Sequence, residues 1–325
     1  MMMSELDMEH MDRPYLKVSE VKRYFQAQGR TVKSVDGVSF DIPLGTTFSL
    51  VGESGCGKTT LARMVAGLDR PTAGAIVFDA QGAQRPHRVQ MIFQDPYASL
   101  NARWRVGSTI AEPIRFQGLR GAAGVDLRVV ELLQRVGLAA ADVSKFPHEF
   151  SGGQRQRISI ARALAGEPSF LVCDEPTSAL DVSVQAQILN LLKRLQREEG
   201  MTSLFISHNL AVVRFISTRV GVMYLGRLVE VAPTEMLFER PQHPYTQLLM
   251  DAIPRLEYGR RRVRNASGDV PSPLDPPGGC TFHPRCPLAM ERCRSETPLL
   301  KAAADGSAVA CHAVVPTVHA SASAA

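Results

Sequence analysis

Along most of the chain, short β-prone apolar runs alternate with longer segments of helical spacing, and glycines punctuate the joins. Residues 35–42 alternate apolar and polar positions and stop at Pro43-Leu44-Gly45. The run 46–51 follows at once, so the two read as a hairpin-like pair feeding a glycine loop. Beyond that loop, residues 61–66 are helix formers ended by Gly67. A further strand is expected over 88–93. From Asp95 to Phe150 the texture changes to short helical stretches, 127–136 among them, broken by Gly118, Gly121, Gly124 and Gly137, which marks a helical insertion. A strand at 170–173, a helix at 184–197, a strand at 202–206 and two short strands at 219–224 and 227–231 complete the pattern. Strands alternating with helices predict an α/β core with a largely parallel sheet.

The regularity fails after Pro254. Pro271, Pro273, Pro276, Pro277, Gly278 and Gly279 crowd together and mark a linker, so a domain boundary is expected near residue 255. The expected organisation is a flexible stretch 1–14, a main domain 15–254 with a helical subdomain over 95–155, an extension 255–312, and a disordered Ala- and Ser-rich tail 313–325. No internal repeat is visible.

The 325 residues suffice for one large domain with an appendage, and 45% hydrophobic content excludes a chain disordered throughout. No apolar run approaches the roughly 20 residues that span a bilayer. Residues 1–10 are Met-rich and acidic, unlike a signal peptide. A cytoplasmic location with peripheral membrane contact is therefore expected. The net charge of +5 is partly concentrated at Arg255, Arg260, Arg261, Arg262 and Arg264. A solvated linker is the ordinary reading of that cluster, with anionic headgroups or nucleic acid as the other readings. Six cysteines in a cytosolic chain argue for thiols or metal ligands over disulfides.

The chemistry is concentrated in a few motifs. Gly52-Glu53-Ser54-Gly55-Cys56-Gly57-Lys58-Thr59 fits G-x-x-x-x-G-K-[ST] between an expected strand and an expected helix. Its glycines let backbone N–H groups converge on phosphate oxygens, and the helix points its positive end at the same anion. Lys58 supplies a full charge beside the β- and γ-phosphates, the Thr59 hydroxyl is placed for Mg²⁺, and Thr60 is expected with the other residues of the loop to bind ATP. Cys56 fills a free position and reads as tolerated.

Asp174 ends an apolar strand where a carboxylate can hold Mg²⁺, and Glu175 lies one residue further out, in reach of an attacking water. Gln94, closing the strand 89–93, is placed to carry an amide oxygen to Mg²⁺ and the attacking water, and His208, after 204–207, to donate to the γ-phosphate; both are weak signals singly and gain weight from their order in the chain. Ser151-Gly152-Gly153-Gln154 precedes a strongly helical run. Ser151 reads as its N-cap, and the two glycines bare the backbone amides of a second anion site. One nucleotide does not need two such cradles, which suggests that the second serves another protomer.

In these motifs and in their order the chain resembles an ATP-binding-cassette ATPase. Walker A lies at 52–59, the Q-loop at Gln94, the signature at Ser151 to Gln154, Walker B at 170–174, the D-loop at Ser178 to Asp181 and the switch at His208. The resemblance implies a P-loop NTPase, RecA-like core with an antiparallel β subdomain and a helical insertion, and two such domains closing head to tail on ATP. It also implies an aromatic stacked on adenine, for which Phe25 is the better match and Tyr24 the competitor.

Within the family, residues 51–58, 91–101, 147–150 and 223–226 are similar to the oligopeptide/dipeptide importer ATPases, as is His243-Pro244-Tyr245-Thr246. This implies a subunit on the cytoplasmic face of the inner membrane. Its expected partners are a paralogous ATPase (or a second copy), two transmembrane permease subunits and, indirectly, an extracytoplasmic binding protein; nucleic acid is not among them. Peptides lead as the cargo, with a nickel chelate, an opine or another small solute as alternatives and a soluble non-transport ATPase as a remote one. Two positions depart from the pattern: Asn209 stands where the family has Asp, and Phe146 where it has Tyr.

Cys280, Cys286, Cys293 and Cys311 follow a C-x₅-C-x₆-C-x₁₇-C spacing. Four thiolates suit Zn²⁺ or an iron–sulfur cluster, and reduced packing cysteines with no metal are the third reading. The C-x₂-C knuckles of common zinc ribbons are missing, and extensions like this one in peptide-importer ATPases imply a [4Fe–4S] cluster. A further view makes the extension an interaction module that regulates transport.

Overall fold

The structure, a computed structural model, describes residues 14–27, 29–78, 88–118, 121–252 and 269–314. The N-terminal stretch to residue 13, the basic cluster from Arg255 to Arg264 and the tail from residue 315 lie outside them.

In chain order, β1 (Pro14–Ala27) and β2 (Arg30–Pro43) form an antiparallel ladder. β3 (Thr47–Val51) leads through the glycine loop into α1 (Lys58–Val65), and β4 (Ala73–Phe78) returns to pair with β1. β5 (Val89–Ile92) precedes the helical part: α2 (Pro96–Ser99), α3 (Val106–Phe116), α4 (Ala122–Arg135), two 3₁₀ turns and α5 (Gly152–Ala165). There follow β6 (Phe170–Asp174), α6 (Val182–Glu199), β7 (Thr202–Ile206), α7 (Leu210–Ile216), β8 (Arg219–Tyr224) and β9 (Arg227–Pro233). The chain continues through α8 (Thr234–Glu239), α9 (Pro244–Asp251), α10 (Arg292–Ser295), β10 (Lys301–Ala302) and β11 (Ala308–Val309).

The large sheet has the order β10-β11-β9-β8-β3-β7-β6-β5 and is parallel from β8 to β5. Every residue of β3, β6 and β7 is buried, as expected of parallel strands covered on both faces. One cluster of buried apolar residues packs the helical part and α6 against β5 and β6, with Ile110, Leu132, Ile158 and Ile188 at its centre. A second fills the space between the small sheet, α1 and the large sheet.

The expected hairpin of residues 35–42 with 46–51 does not form. β2 pairs with β1, and β3 enters the other sheet, parallel to both β7 and β8. The reason is burial. Leu16, Val18 and Val21 give β1 an apolar face that matches Val35, Val38 and Ile42 of β2, whereas β3 is buried on both faces and needs neighbours inside a covered sheet. The extension expected beyond residue 255 rejoins the same sheet, because β11 pairs antiparallel with β9.

The two sheets are pinned together at Asp36. Its backbone N–H donates to the Gly226 carbonyl, and its carboxylate accepts from Arg227 Nη2 at 2.6 Å and from the Tyr24 hydroxyl at 2.5 Å. Burial alone raises the Asp36 carboxyl, but the hydrogen bonds from Tyr24 and Arg227 outweigh it and hold the group below its ordinary value. The same burial and pairing push the Tyr24 phenol up to about 12.

Asp36→Asn is expected to lower the free energy of unfolding by about 1–2 kcal/mol at neutral pH, the partly exposed Arg227 keeping the loss modest. A carboxyl depressed in the folded state contributes stability that is present above its unfolded value and lost as pH falls through the folded one. Urea denaturation should therefore find the difference between Asp36→Asn and the parent shrinking below about pH 4.

Candidate active site

The loop at 52–59 owes its shape to two glycines. Gly52 and Gly57 have φ of 152° and 104°, and a Cβ would lie 2.2 Å from the Met223 carbonyl oxygen at the first and 2.1 Å from that of Ser34 at the second. No side chain fits at either place. Lys58, the first residue of α1, is 6% exposed, and its ammonium donates to the carbonyls of Gly52 at 2.8 Å and Glu53 at 2.9 Å. Cys56 is buried, and desolvation raises its thiol despite the lowering influence of Lys58, so the neutral form prevails and the sulfur packs rather than attacks. Thr60 accepts from the Ser34 hydroxyl, tying α1 to β2, while Ser54 and Gly55 face outward.

Three neighbouring parallel strands end at this loop. From the end of β6, Asp174 accepts a hydrogen bond from the Thr59 hydroxyl at 3.1 Å. Burial raises the Asp174 carboxyl, offset in part by Thr59. A carboxylate and a hydroxyl, both hard oxygen donors and the carboxylate 4% exposed, fit a Mg²⁺ ion.

Glu175 follows in the left-handed region at φ 45°, which is costly for a residue with a Cβ. Its N–H, donating to the Ile206 carbonyl at the end of β7, holds it there. The turn aims its carboxylate at two partners: Oε2 accepts from Gln94 Nε2 at 3.2 Å, just past β5, and lies 3.1 Å from His208 Nδ1, just past β7. Beside His208, Asn209 caps α7, its side-chain oxygen accepting from the N–H groups of Ala211 and Val212.

Ser151 caps α5 as the sequence suggests. Its hydroxyl accepts from the Gln154 N–H, and the Gln154 side chain accepts from the Ser151 N–H. Arg155 donates to the Pro147 and His148 carbonyls and stacks on Tyr97 at 3.8 Å, and Arg162 donates to the Ser99 carbonyl. The segment that follows Gln94 is thereby braced on α5. Gly153 contacts the start of α6, where Asp181 accepts from the Val184 N–H. Among the described residues no hydrogen bond joins Ser151 to Gln154 with the 52–59 loop of the same chain.

The two candidate aromatics differ. Tyr24 is committed to Asp36, whereas Phe25 is 37% exposed with the Arg23 guanidinium 4.5 Å from its ring centre. On the helical part, Arg103, Trp104, Arg105, Glu112, Arg115 and Phe146 line an open groove of 540 Å³, in which Phe146 takes the Tyr position and carries Arg105 on its ring.

Cys280, Cys286 and Cys311 each lie near enough to other cysteines of the extension for these to raise their thiols, yet among the described residues no three His, Cys, Asp or Glu side chains are grouped to hold a metal ion. Burial pushes the Cys280 thiol up to about 11 and raises those of Cys286 and Cys311, so in this arrangement they are neutral thiols. The expectation of an iron–sulfur or zinc centre is therefore not supported by the residues as arranged.

Two contacts escaped the sequence reading. Tyr245, of the 243–246 motif, and Arg285, in the extension, both grip Glu53 of the phosphate-type loop. The motif marked Tyr245 without saying what it touches, and nothing marked Arg285.

Residues 35–178 match the family profile described as ABC transporter, and residues 229–293 match the oligopeptide/dipeptide transporter C-terminal region. A Bacillus subtilis protein named as an oligopeptide transport ATP-binding protein, YkfD, is 50% identical over 92% of this chain and 95% of its own. The Haemophilus influenzae dipeptide transport ATP-binding protein DppF is 45% identical over 92% and 96%. Among solved structures, a post-hydrolysis dimer of the ATP-binding cassette MJ0796 with ADP and phosphate aligns with a TM-score of 0.61 and 27% identity over 67% of this chain and 98% of that one. Among the described residues no helix is long and apolar enough to cross a membrane.

Gly153 offers a test of the contact between α5 and α6. Glycine-to-alanine near the start of an exposed helix is ordinarily neutral or stabilising by up to about 1 kcal/mol. Here a Cβ would meet Val184 Cγ1 at 2.3 Å. Gly153→Ala should therefore destabilise by about 1–3 kcal/mol in urea denaturation, and adding Val184→Ala should recover most of the loss.

Proposed function

The chain belongs to the ATP-binding-cassette transporter ATPases that carry the oligopeptide/dipeptide C-terminal region, and from that premise we propose that its ATP hydrolysis powers uptake of di- and oligopeptides through a membrane permease. The observation that carries the hydrolytic reading is the convergence of Gln94 and His208 on the Glu175 carboxylate, beside the Thr59–Asp174 pair.

Lys58 and the bared amides of residues 52–59 take the β- and γ-phosphates of ATP. Thr59, Asp174 and Gln94 would hold Mg²⁺, which would supply positive charge to neutralise that of the phosphates. Glu175 accepts a proton from the water that attacks the γ-phosphorus; the bond to the β-phosphate oxygen breaks, and ADP and phosphate leave. His208 orients the Glu175 carboxylate from one side and Gln94 from the other. Phe25 stacks on the adenine, since Tyr24 is held by Asp36.

Ser151, Gly152, Gly153 and Gln154 act on the ATP of a second cassette, either a paralogous subunit or another copy. Their separation from the chain's own phosphate loop supports that reading, as does the dimer with ADP and phosphate formed by the cassette MJ0796. Asp181 holds the start of α6 against the signature turn at that interface.

The groove around Trp104 and Phe146 receives a cytoplasmic segment of the permease, which keeps the subunit on the inner face of the membrane. Arg155 and Arg162, bracing the Gln94 segment on α5, link the nucleotide site to that groove.

Glu175→Gln should retain ATP binding while lowering phosphate release by at least ~100-fold. Appreciable residual hydrolysis would assign the base elsewhere. In cells lacking other peptide importers, the same substitution should abolish uptake of labelled di- and oligopeptides; unchanged uptake would move the cargo to a metal chelate or another small solute. Trp104→Glu should release the subunit from membranes bearing the permease and leave ATP binding by the free chain intact, as read by fractionation and equilibrium dialysis.

A further inference from the structure

Glu53 is held from outside the nucleotide-binding machinery at both its backbone and its side chain. Its N–H donates to the Tyr245 hydroxyl at 2.9 Å. Its two carboxylate oxygens accept from Arg285 Nη1 at 2.9 Å and Nη2 at 3.0 Å, a bidentate pair in which the arginine is only 8% exposed. Both partners are set by packing. Tyr245 is fully buried and held by His243, whose own N–H is fixed by Glu230. Arg285 leaves a 3₁₀ turn anchored by the buried Phe282 ring, and its guanidinium lies 5.8 Å from the Tyr224 ring centre and 5.9 Å from that of Phe282. The segment ahead of that turn is pinned where the Cys280 N–H donates to the Cys293 carbonyl.

The electrostatics give this grip a consequence. Glu53 is an anion within a loop that must receive a polyanion, and an unpaired carboxylate there would oppose binding. A buried guanidinium that takes both oxygens cancels that charge and fixes where it points. The extension also shares a 310 Å³ cleft with the loop, lined by Ser34 and Gly55 on one side and by Pro276, Pro277 and Thr281 on the other. We propose that Arg285 is a positioning residue for ATP binding: by pairing with Glu53 it neutralises and aligns the phosphate-binding loop, so that the C-terminal extension sets the nucleotide affinity of the site. This inference rests on the assignment of residues 52–59 to ATP.

The test measures Mg·ATP binding to the full-length chain by calorimetry, and KM and kcat in the assembled transporter. Arg285→Ala should weaken ATP binding and raise KM by ~10-fold while kcat stays within about two-fold. Adding Glu53→Gln to Arg285→Ala should restore most of the affinity, because the repelling carboxylate is gone. A role confined to holding the fold together predicts no such recovery. Unchanged affinity in Arg285→Ala, or a double variant as weak as the single one, overturns the proposal. Should thermal melts show Arg285→Ala unfolded, the neutral pair Arg285→Gln with Glu53→Gln decides: affinity close to the parent supports the proposal, and a ~10-fold loss overturns it. A parent chain that binds no ATP would overturn the nucleotide reading itself, so the two failures are distinguishable.

Discussion

The close approach of the 52–59 loop to two backbone carbonyls is the constraint on which the rest of the molecule depends. Gly52 lies against Met223 at the end of β8 and Gly57 against Ser34 in β2, at separations that admit no Cβ. A loop that offers its N–H groups to an anion leaves its own shape without side-chain support, so the shape has to come from neighbours. The large sheet supplies one neighbour and the small sheet the other. Asp36, tied to Gly226 and Arg227, holds those two sheets at the spacing the loop requires.

From that anchored loop the chemistry is assembled by strand order. β5, β6 and β7 are adjacent and parallel, so Gln94, Asp174, Glu175 and His208 leave the same edge although they are far apart in sequence. The ends of parallel strands are where an open α/β sheet has side chains free to meet a ligand. Glu175 adds a strained backbone to this edge, and the bond from its N–H to Ile206 keeps its carboxylate between Gln94 and His208. Such strain persists only where the surroundings over-determine the conformation.

The helical part and the C-terminal extension use the same device at a distance. Arginines reach across to backbone carbonyls or to a carboxylate and convert a loose segment into a braced one. Arg155 and Arg162 bind the Gln94 segment to α5 through the Tyr97 ring and the Ser99 carbonyl, Arg157 ties α5 to the end of α4 through the Val136 carbonyl, and Arg285 binds the extension to the 52–59 loop. A planar guanidinium with several fixed donors serves several acceptors at once, which a point-charge ammonium cannot do. The arginines beside the signature turn are accounted for by this bracing.

The sequence by itself determined the elements and the chemistry that depend on local order. The expected strand over 202–206 matches β7 and that over 219–224 matches β8, and the helix expected at 184–197 lies within α6. The glycine loop, the Ser151 cap and the Asp174-Glu175 pair are equally local, because turn, cap and strand-end signals are written in adjacent residues. Partnership was decided by the tertiary structure alone. That β2 pairs with β1 and not with β3, that Tyr24 is occupied by Asp36 and leaves Phe25 free, and that Arg285 grips Glu53 from the far end of the chain are contacts between residues distant in sequence. The four cysteines show the same limit from the other side: four thiolates suit a metal, but whether thiols form a ligand set depends on how distant segments fold around them. Local patterns fix what each segment can be; which surfaces are buried against each other fixes what it touches.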